Sequence, residues 1–276
     1  MEGRPISVVW HGSRLGMKVS FSDYRDRYET IKFERREAII QLTLHTEGKS
    51  LRWGALPVDE LQDAFEMVGR DKENRVVILT GTGEEFNGPV GSPETFPGGT
   101  PAGWDSGHFN VRKLLNNLLS LEAPIISAIN GPALRHCETP LLCDIVLAST
   151  RASFQDSGHF VNGLVPGDGM QLVLPLVMGA NRARYFMLTG QTISAEEALH
   201  IGMVNEVLEP EALLPRAWEL AAQLTKQSPL VLRYTKVAMV HTMRQLIVAN
   251  QGYGLALEAL AAIEDRDRAG YSLPEL

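Results

Sequence analysis

Cysteine is nearly absent from this chain. Its two residues, Cys137 and Cys143, stand six apart, which makes neither a disulfide framework nor a zinc spacing. They read as reduced thiols of a cytoplasmic protein. No apolar run reaches about 18 residues, so no transmembrane helix is expected. The first residues, "MEGRPISVVWHGSRLGM", lack the long apolar core and cleavage site of a signal peptide and read as a loose arm. Positive charge is not in excess: 26 Lys and Arg stand against 33 Asp and Glu, a net charge of −7. That balance argues against nucleic acid or an anionic membrane as a partner. Fixed-period repeats and low-complexity tracts are also missing. With 276 residues and 44% hydrophobic content, a sizeable core is expected.

Periodicity supplies the elements. "YETIKFERREAIIQLTLH" reads as a hairpin turning at the polar "ERRE". In "PVDELQDAFEMVGRD", Leu61, Ala64, Phe65 and Val68 fall at i, i+3, i+4 and i+7, the apolar stripe of a helix. "RVVILT" is a strand buried on both faces. The Gly- and Pro-rich run from Gly81 to Gly107 reads as a long functional loop. It is followed by a helix with Val111, Leu114, Leu115 and Leu118 on one face. "APIISAING", "DIVLAS" and "ASFQD" read as short strands. "LVLPLVMG", "ANRARYFMLTG" and "SAEEALHIGMV" read as short helices. From Glu211 onward the pattern is helical, with "SPLVLRYTKVAMVHTM" followed by a last helix through "GLALEALAAIEDRD". Strand–helix units followed by helices predict an α/β protein with a helical C-terminal region. The divisions expected are an N-terminal arm (1–27), a core (28–207) and a C-terminal helical region (208–276).

Several stretches together resemble the crotonase (enoyl-CoA hydratase/isomerase) superfamily: "VVILTGTGEEF", "APIISAINGPAL", "CDIVLAS", "ASFQD…GLVPGDG" and "RARYFMLTGQTISAEEALHIGMVNEV". The resemblance implies a spiral of ββα turns, with C-terminal helices that aid assembly into a homotrimer or a dimer of trimers. The departures from the family pattern are more informative. Where hydratases carry a Gly-rich oxyanion segment after "NG", this chain has "GPALRHCETP", with Arg135 and His136 in place of glycines. Where they carry a second glutamate, "FQDSGHF" has none, and His159 falls near that position. "GKSLRWG", with Trp53, replaces the usual segment beside the CoA site, and "FNGPV" has Pro89 where a glycine is usual.

These departures resemble the 6-oxocamphor hydrolase branch of β-diketone hydrolases, which cleave a carbon–carbon bond by a retro-Claisen reaction without CoA. The resemblance places catalytic roles on His136, His159, Asp168 and Glu258, and substrate contacts on Trp53, Phe86 and Gly88. It implies a small-molecule diketone substrate and neither metal nor cofactor. The chemistry fits those residue types. Water must lose a proton to attack a carbonyl, and histidine's ordinary pKa of about 6.5 suits that task. A carboxylate fixes the tautomer and steadies the imidazolium. His159 is therefore read as general base, Asp168 as its partner, and His136 as donor to a diketone oxygen. Trp53 donates its indole N–H to the other ketone or packs against an alicyclic ring.

Plainer readings stand beside these. A lone His159 is more often a satisfied loop residue, and Asp168 in "PGDG" also suits a helix cap. Glu138 aligns with a hydratase glutamate but lacks that residue's partner, which favours a structural role. Glu258 also suits an ordinary buried-edge carboxylate, and His108 in the long loop suits a solvent contact. Arg182, Arg184, Arg216 and Lys226 suit a solvated face or subunit contacts. Cys137 beside His136 is the weakest candidate, as a thiol nucleophile. Two other functions remain in view: an enoyl-CoA hydratase or isomerase acting on a CoA thioester, and a non-enzymatic scaffold or RNA-binding member of the fold, which the acidic charge disfavours.

Overall fold

In the computed structural model, residues 18–92 and 100–268 are described, with side chains through 264. The strand at Val76–Gly81 (β3) explains the core, because its residues are almost all buried on both faces. Val77 and Leu79 join the larger core cluster, while Val76 and Ile78 join a smaller one beneath the opposite face. Around it a six-stranded sheet runs in the order β1 (Ile31–Arg36), β2 (Ile39–Leu44), β3, β4 (Ile125–Ile129), β5 (Ile145–Ser149) and β8 (Glu206–Leu208). Only the β1–β2 pair is antiparallel; the other four pairings are parallel. The β1–β2 turn is tighter than the sequence pattern implies. Glu34, Arg35 and Arg36 lie within β1, and the turn is Glu37–Ala38, with Glu37 at φ +52°.

Helix α1 (Ala55–Arg70) buries the expected Leu61, Ala64, Phe65 and Val68. Helix α2 (Pro101–Ser120) packs beside it and buries Leu114, Leu115 and Leu118. Its start corrects the long-loop expectation. Thr100 Oγ1 accepts the Gly103 N–H and Pro101 occupies the first turn, which are start signals for a helix. His108 is therefore a half-buried helix residue. Residues 93–99 of that run, residues 1–17 of the expected arm and residues 269–276 lie outside the described residues. The rest of the expected arm is packed down: Tyr24 is fully buried and donates its hydroxyl to Asp71 Oδ2 at 3.0 Å.

A second, smaller assembly of extended segments sits beyond the main sheet. Single bridges join Leu51 to Asn87, Asn87 to Ala133 and Ala133 to Phe154. Phe154 belongs to β6 (Ser153–Phe154), which pairs antiparallel with β7 (Ile193–Ser194). The short helices α3 (Glu138–Leu141), α4 (Met170–Met178), α5 (Ala180–Thr189) and α6 (Ala195–His200) fill the connections. Helix α7 (Pro210–Leu224) covers the smaller core with Leu213, Ala217 and Ala221.

The C-terminal helix α8 (Pro229–Arg268) is one 40-residue helix, about 60 Å long at 1.5 Å per residue, where the sequence pattern implied two. By length and composition, residues 229–264 are also apolar enough to cross a membrane, with a mean hydropathy of 1.4 over one window. That differs from the expectation from uninterrupted apolar runs. Its polar anchors are those of a helix packed on the protein body. Buried Lys236 pairs with Asp144 at 2.9 Å and donates to the Ala123 carbonyl at 3.1 Å.

Candidate active site

The bridge ladder positions the site. Four segments lie side by side, and each continues into a chemically interesting residue. Trp53 follows Leu51, Gly88 follows Asn87, His136 follows Ala133, and Asp156 follows Phe154. Backbone bonds hold the third and fourth segments in register: Ala133 N donates to Ser153 O at 2.8 Å and Ser157 N to Leu134 O at 2.9 Å. Asn87 ties in the second, since its carbonyl accepts Leu134 N at 3.0 Å and its side-chain Oδ1 accepts Arg135 N at 3.2 Å. His136 adopts φ +51°, a left-handed conformation that costs a non-glycine residue about 1–3 kcal/mol and persists where its surroundings over-determine it.

The opposite wall comes from the loop before α4 and from α8. Gly167 and Gly254 meet backbone to backbone. A β-carbon on Gly254 would lie 2.2 Å from the Gly167 carbonyl oxygen, so only glycine permits the approach. One turn further along α8, that approach delivers Glu258. Gln171 Nε2 donates to the Gly167 carbonyl at 2.8 Å, and Gln251 donates to the carbonyl of Asp168.

These walls bring His136, His159, Asp168, Glu258 and Trp53 together. The imidazoles of His136 and His159 meet edge to face, 5.2 Å between centroids, and Trp53 stacks on His136 at 4.7 Å and 20°. Asp168 Oδ2 lies 2.8 Å from His136 Nδ1 and 3.4 Å from His159 Nε2. Glu258 Oε1 stands 3.8 Å from His159 Nε2. Two further carboxyl groups complete the cluster. Asp156 Oδ1 is 2.7 Å from His159 Nδ1, and Glu138 Oε1 is 3.2 Å from His136 Nδ1. The order is therefore Asp156–His159–Asp168–His136–Glu138, with carboxyl and imidazole groups alternating.

Sequence reasoning missed Asp156. It paired His159 with Asp168 across nine residues, whereas the nearer partner is Asp156, three residues before His159. The available signal was the aspartate in "FQDSGHF" itself. Glu138, read as structural, is buried against His136. Asp168 does not cap α4, since the N-cap residue is Gly169 and no side chain bonds the first turn. Phe86 is a fully buried core residue, and its N–H is taken by the Pro132 carbonyl at 3.0 Å. Gly88 lies one residue beyond the Asn87 bridge, under the Glu85 carboxyl. Cys137 is fully buried and its thiol is pushed well above its ordinary pKa, by burial first and then by Glu138, which removes it as a nucleophile.

The charges are shared unevenly. Burial alone would lower both histidines. Asp168 and then Glu138 outweigh it at His136 and lift it to about 9. Asp168 and Asp156 lift His159 well above its ordinary value. Burial would raise Asp168, but His159 and His136 hold it well below the usual carboxylate range. Burial pushes Glu138 up, and burial with Asp168 pushes Glu258 to about 8. The ordinary histidine value used in the sequence reading therefore does not apply here: the neighbouring carboxylates favour the protonated form of both imidazoles, and burial favours the neutral form of Glu258. Four carboxyl oxygens remain buried without a hydrogen-bond partner: Glu138 Oε2, Asp156 Oδ2, Asp168 Oδ1 and Glu258 Oε2. Such groups are expensive unless a ligand or water meets them.

Comparison with known proteins follows the same lines. The family model for enoyl-CoA hydratase/isomerase matches residues 34–259. A short-chain-enoyl-CoA hydratase of Clostridium acetobutylicum is 35% identical over 195 residues, 69% of this chain and 74% of that protein. A crotonyl-CoA hydratase of Syntrophomonas wolfei is 29% identical over 240 residues, 86% of this chain and 87% of that one. Among solved structures, a β-diketone hydrolase from the cyanobacterium Anabaena sp. PCC 7120, bound to (S)-3-oxocyclohexyl acetic acid, superposes with a TM-score of 0.85. It is 42% identical and covers 89% of this chain and 97% of its own.

Proposed function

This chain belongs to the enoyl-CoA hydratase/isomerase (crotonase) family, and from that premise we propose that it is a cofactor-independent hydrolase of cyclic or bicyclic β-diketones. It adds water to one carbonyl and cleaves the adjoining carbon–carbon bond by a retro-Claisen step, giving a keto acid. The observation that carries this reading is the paired imidazoles, each held by buried carboxyl groups, in one cluster. Likeness to a β-diketone hydrolase at 42% identity supports it.

The steps follow from the atoms. Asp156 accepts a hydrogen bond from the His159 Nδ1–H and so fixes the tautomer, and Nε2, once free of its proton, faces the space beside Asp168 and Glu258. There it takes a proton from water, and the hydroxide oxygen bonds to the carbonyl carbon. Asp168, ionised and beside Nε2, steadies the imidazolium that forms. Asp168 and Glu138 hold His136 by Nδ1 and leave its Nε2–H to donate to a ketone oxygen, where negative charge develops. The tetrahedral oxyanion collapses, the carbon–carbon bond breaks, and its electron pair becomes an enolate on the second carbonyl. The enolate carbon takes one proton, so the balance is diketone plus water giving keto acid. Neutral Glu258 and the His159 imidazolium are the two acids in reach for that last transfer. Trp53 fixes the plane of His136 and offers a flat wall to an alicyclic ring.

The alternative is hydration or isomerisation of a CoA thioester, as the names of the curated relatives indicate for those proteins. Retention of Glu138 favours it. Against it, Glu138 faces His136, and "FQDSGHF" brings a histidine rather than a second glutamate. Exposed apolar residues along α8, among them Leu230, Tyr234, Met239 and Leu260, support assembly into a homotrimer or a dimer of trimers. The test is incubation with a bicyclic 1,3-diketone, with the keto acid followed by mass spectrometry and crotonyl-CoA as the comparison substrate. Keto acid that disappears with His159→Ala supports the reading; hydration of crotonyl-CoA at an ordinary enzymatic rate with no keto acid replaces it with the alternative.

A further inference from the structure

The arrangement of His136, His159 and Asp168 has the form of a metal-ligand set. Their ligand atoms all lie within 4.8 Å of one another. Zinc at 2.0–2.2 Å from tetrahedral ligands spaces them about 3.4 Å apart. Asp168 Oδ2 already stands 2.8 Å from His136 Nδ1 and 3.4 Å from His159 Nε2. Glu258 Oε1 lies 3.8 Å from the same His159 nitrogen, beside but outside that set of three. We infer that this buried cluster binds one Zn²⁺ ion through His136, His159 and Asp168, with Glu258 moving in as the fourth ligand, and that the ion silences the enzyme.

Two independent features support binding. The first is the partner of His159. Its Nδ1 is 2.7 Å from Asp156 Oδ1, and Asp156 is fully buried on its side chain. Metal-binding histidines are characteristically held by such a carboxyl group on the nitrogen that does not touch the ion, which fixes the tautomer and orients the ring. Trp53, stacked on His136, holds the other ring in plane. The second feature is the set of unpartnered oxygens. Asp168 Oδ1 and Glu258 Oε2 are buried without a hydrogen bond, and both side chains are more than nine-tenths buried. Carboxyl oxygens in that condition favour a cation.

Zinc suits the donor set. Two imidazoles and two carboxyl oxygens make a mixed nitrogen–oxygen site, and a four-coordinate tetrahedron is completed when Glu258 turns in toward the other three. Silencing follows from which atoms are used. The ion displaces the proton from His159 Nε2 to solvent and occupies the lone pair that would take a proton from water. With four protein ligands, a tetrahedral ion keeps no open position for a water of its own, which is the character of a closed rather than a catalytic zinc site. Binding rests on the geometry alone; the silencing rests on the proposed hydrolase function.

The test uses tag-free, chelator-treated full-length protein and Co²⁺ as a visible probe, with Zn²⁺ as competitor. The expected result is a set of intense tetrahedral cobalt bands that saturate at one equivalent and vanish when Zn²⁺ is added. His159→Ala and Asp168→Asn should lose the bands while keeping the wild-type circular dichroism. Asp156→Asn, which leaves all four ligands in place, should weaken cobalt binding about 10–100-fold. Diketone hydrolysis should fall away as one equivalent of Zn²⁺ is added and return with chelator. No saturable cobalt spectrum, or one unchanged in both ligand variants, overturns the site. Activity that rises with Zn²⁺ overturns the silencing. A protein that binds one cobalt in this manner yet cleaves no diketone keeps the metal site and counts against the hydrolase reading instead.

Discussion

Asp168 lies closer to His136 than to His159: its Oδ2 is 2.8 Å from Nδ1 of the first and 3.4 Å from Nε2 of the second. One carboxylate thus couples the residue proposed to receive the oxyanion to the residue proposed to activate water.

That coupling sets the pH dependence of kcat/KM, which reports the free enzyme. His159 must lose a proton before it can accept one from water. Asp168 and Asp156 hold that proton above the ordinary histidine value, so kcat/KM should rise with pH on the alkaline side of about 6.5. Asp168→Asn removes one of the two anchoring charges. The rising limb should move to lower pH while its plateau falls about 10²–10⁴-fold. A limb that stays in place would assign the titration to another group.

Asp156 is the sharper test of orientation. Asp156→Asn keeps the size of the side chain but lets an amide N–H face His159 Nδ1, which favours the wrong tautomer. The expected outcome is a loss of roughly 10⁴-fold in kcat, by analogy with the equivalent change in a serine-protease triad, with KM little altered. A loss confined to KM would place Asp156 in substrate binding.

Glu258 makes a prediction about stability. Burial raises its folded pKa from 4.5 to about 8. The folded protein therefore holds more protons than the unfolded chain between those values, and stability falls as pH rises through that window. Glu258→Gln cannot ionise and escapes the penalty. Its Tm should exceed that of the wild type at pH 8.5 by more than it does at pH 4.5, as measured by scanning calorimetry. An equal difference at both pH values contradicts the assignment.

Gly254→Ala tests how the wall is built. The added carbon would meet the Gly167 carbonyl oxygen at 2.2 Å and Gln171 Nε2 at 2.1 Å. The amide of Gln171 can swing away, but the backbone cannot. Pushing α8 back should cost about 1–3 kcal/mol and draw Glu258 away from His159. Gly252→Ala, which meets nothing within 4 Å, should be neutral or slightly stabilising. Denaturant midpoints for the two variants separate the outcomes.

Local pattern carried much of this molecule. The stripe of α1, the doubly buried β3 and the strand at Ile125 stand where periodicity placed them, because there local preference and burial agree. Two boundaries moved for physical reasons. The Gly- and Pro-rich run reads as a loop, but Thr100 and Pro101 start a helix inside it. The C-terminal helix reads as two segments, the second beginning at Gly254, but it is one helix. Gly254 lies buried against Gly167, where packing outweighs a helix cost of about 1 kcal/mol. In the site, His136, His159, Asp168, Glu258 and Trp53 were legible by resemblance and do come together. Asp156 and the Glu138–His136 contact were not. Both depend on how the Leu51–Asn87–Ala133–Phe154 ladder sets neighbouring segments side by side, and no spacing along the chain encodes that. Phe86, expected to touch substrate, is instead fully buried in the core cluster.

The most direct measurement of the central claim is hydrolysis of a bicyclic 1,3-diketone in water enriched in oxygen-18, with the product analysed by mass spectrometry for wild type and His159→Ala. Water attack followed by carbon–carbon cleavage predicts a keto acid whose carboxyl group carries one heavy oxygen from solvent in the wild type, formed far more slowly by the variant. Recovery of unchanged diketone from the wild type, or keto acid formed equally fast by His159→Ala, would contradict it.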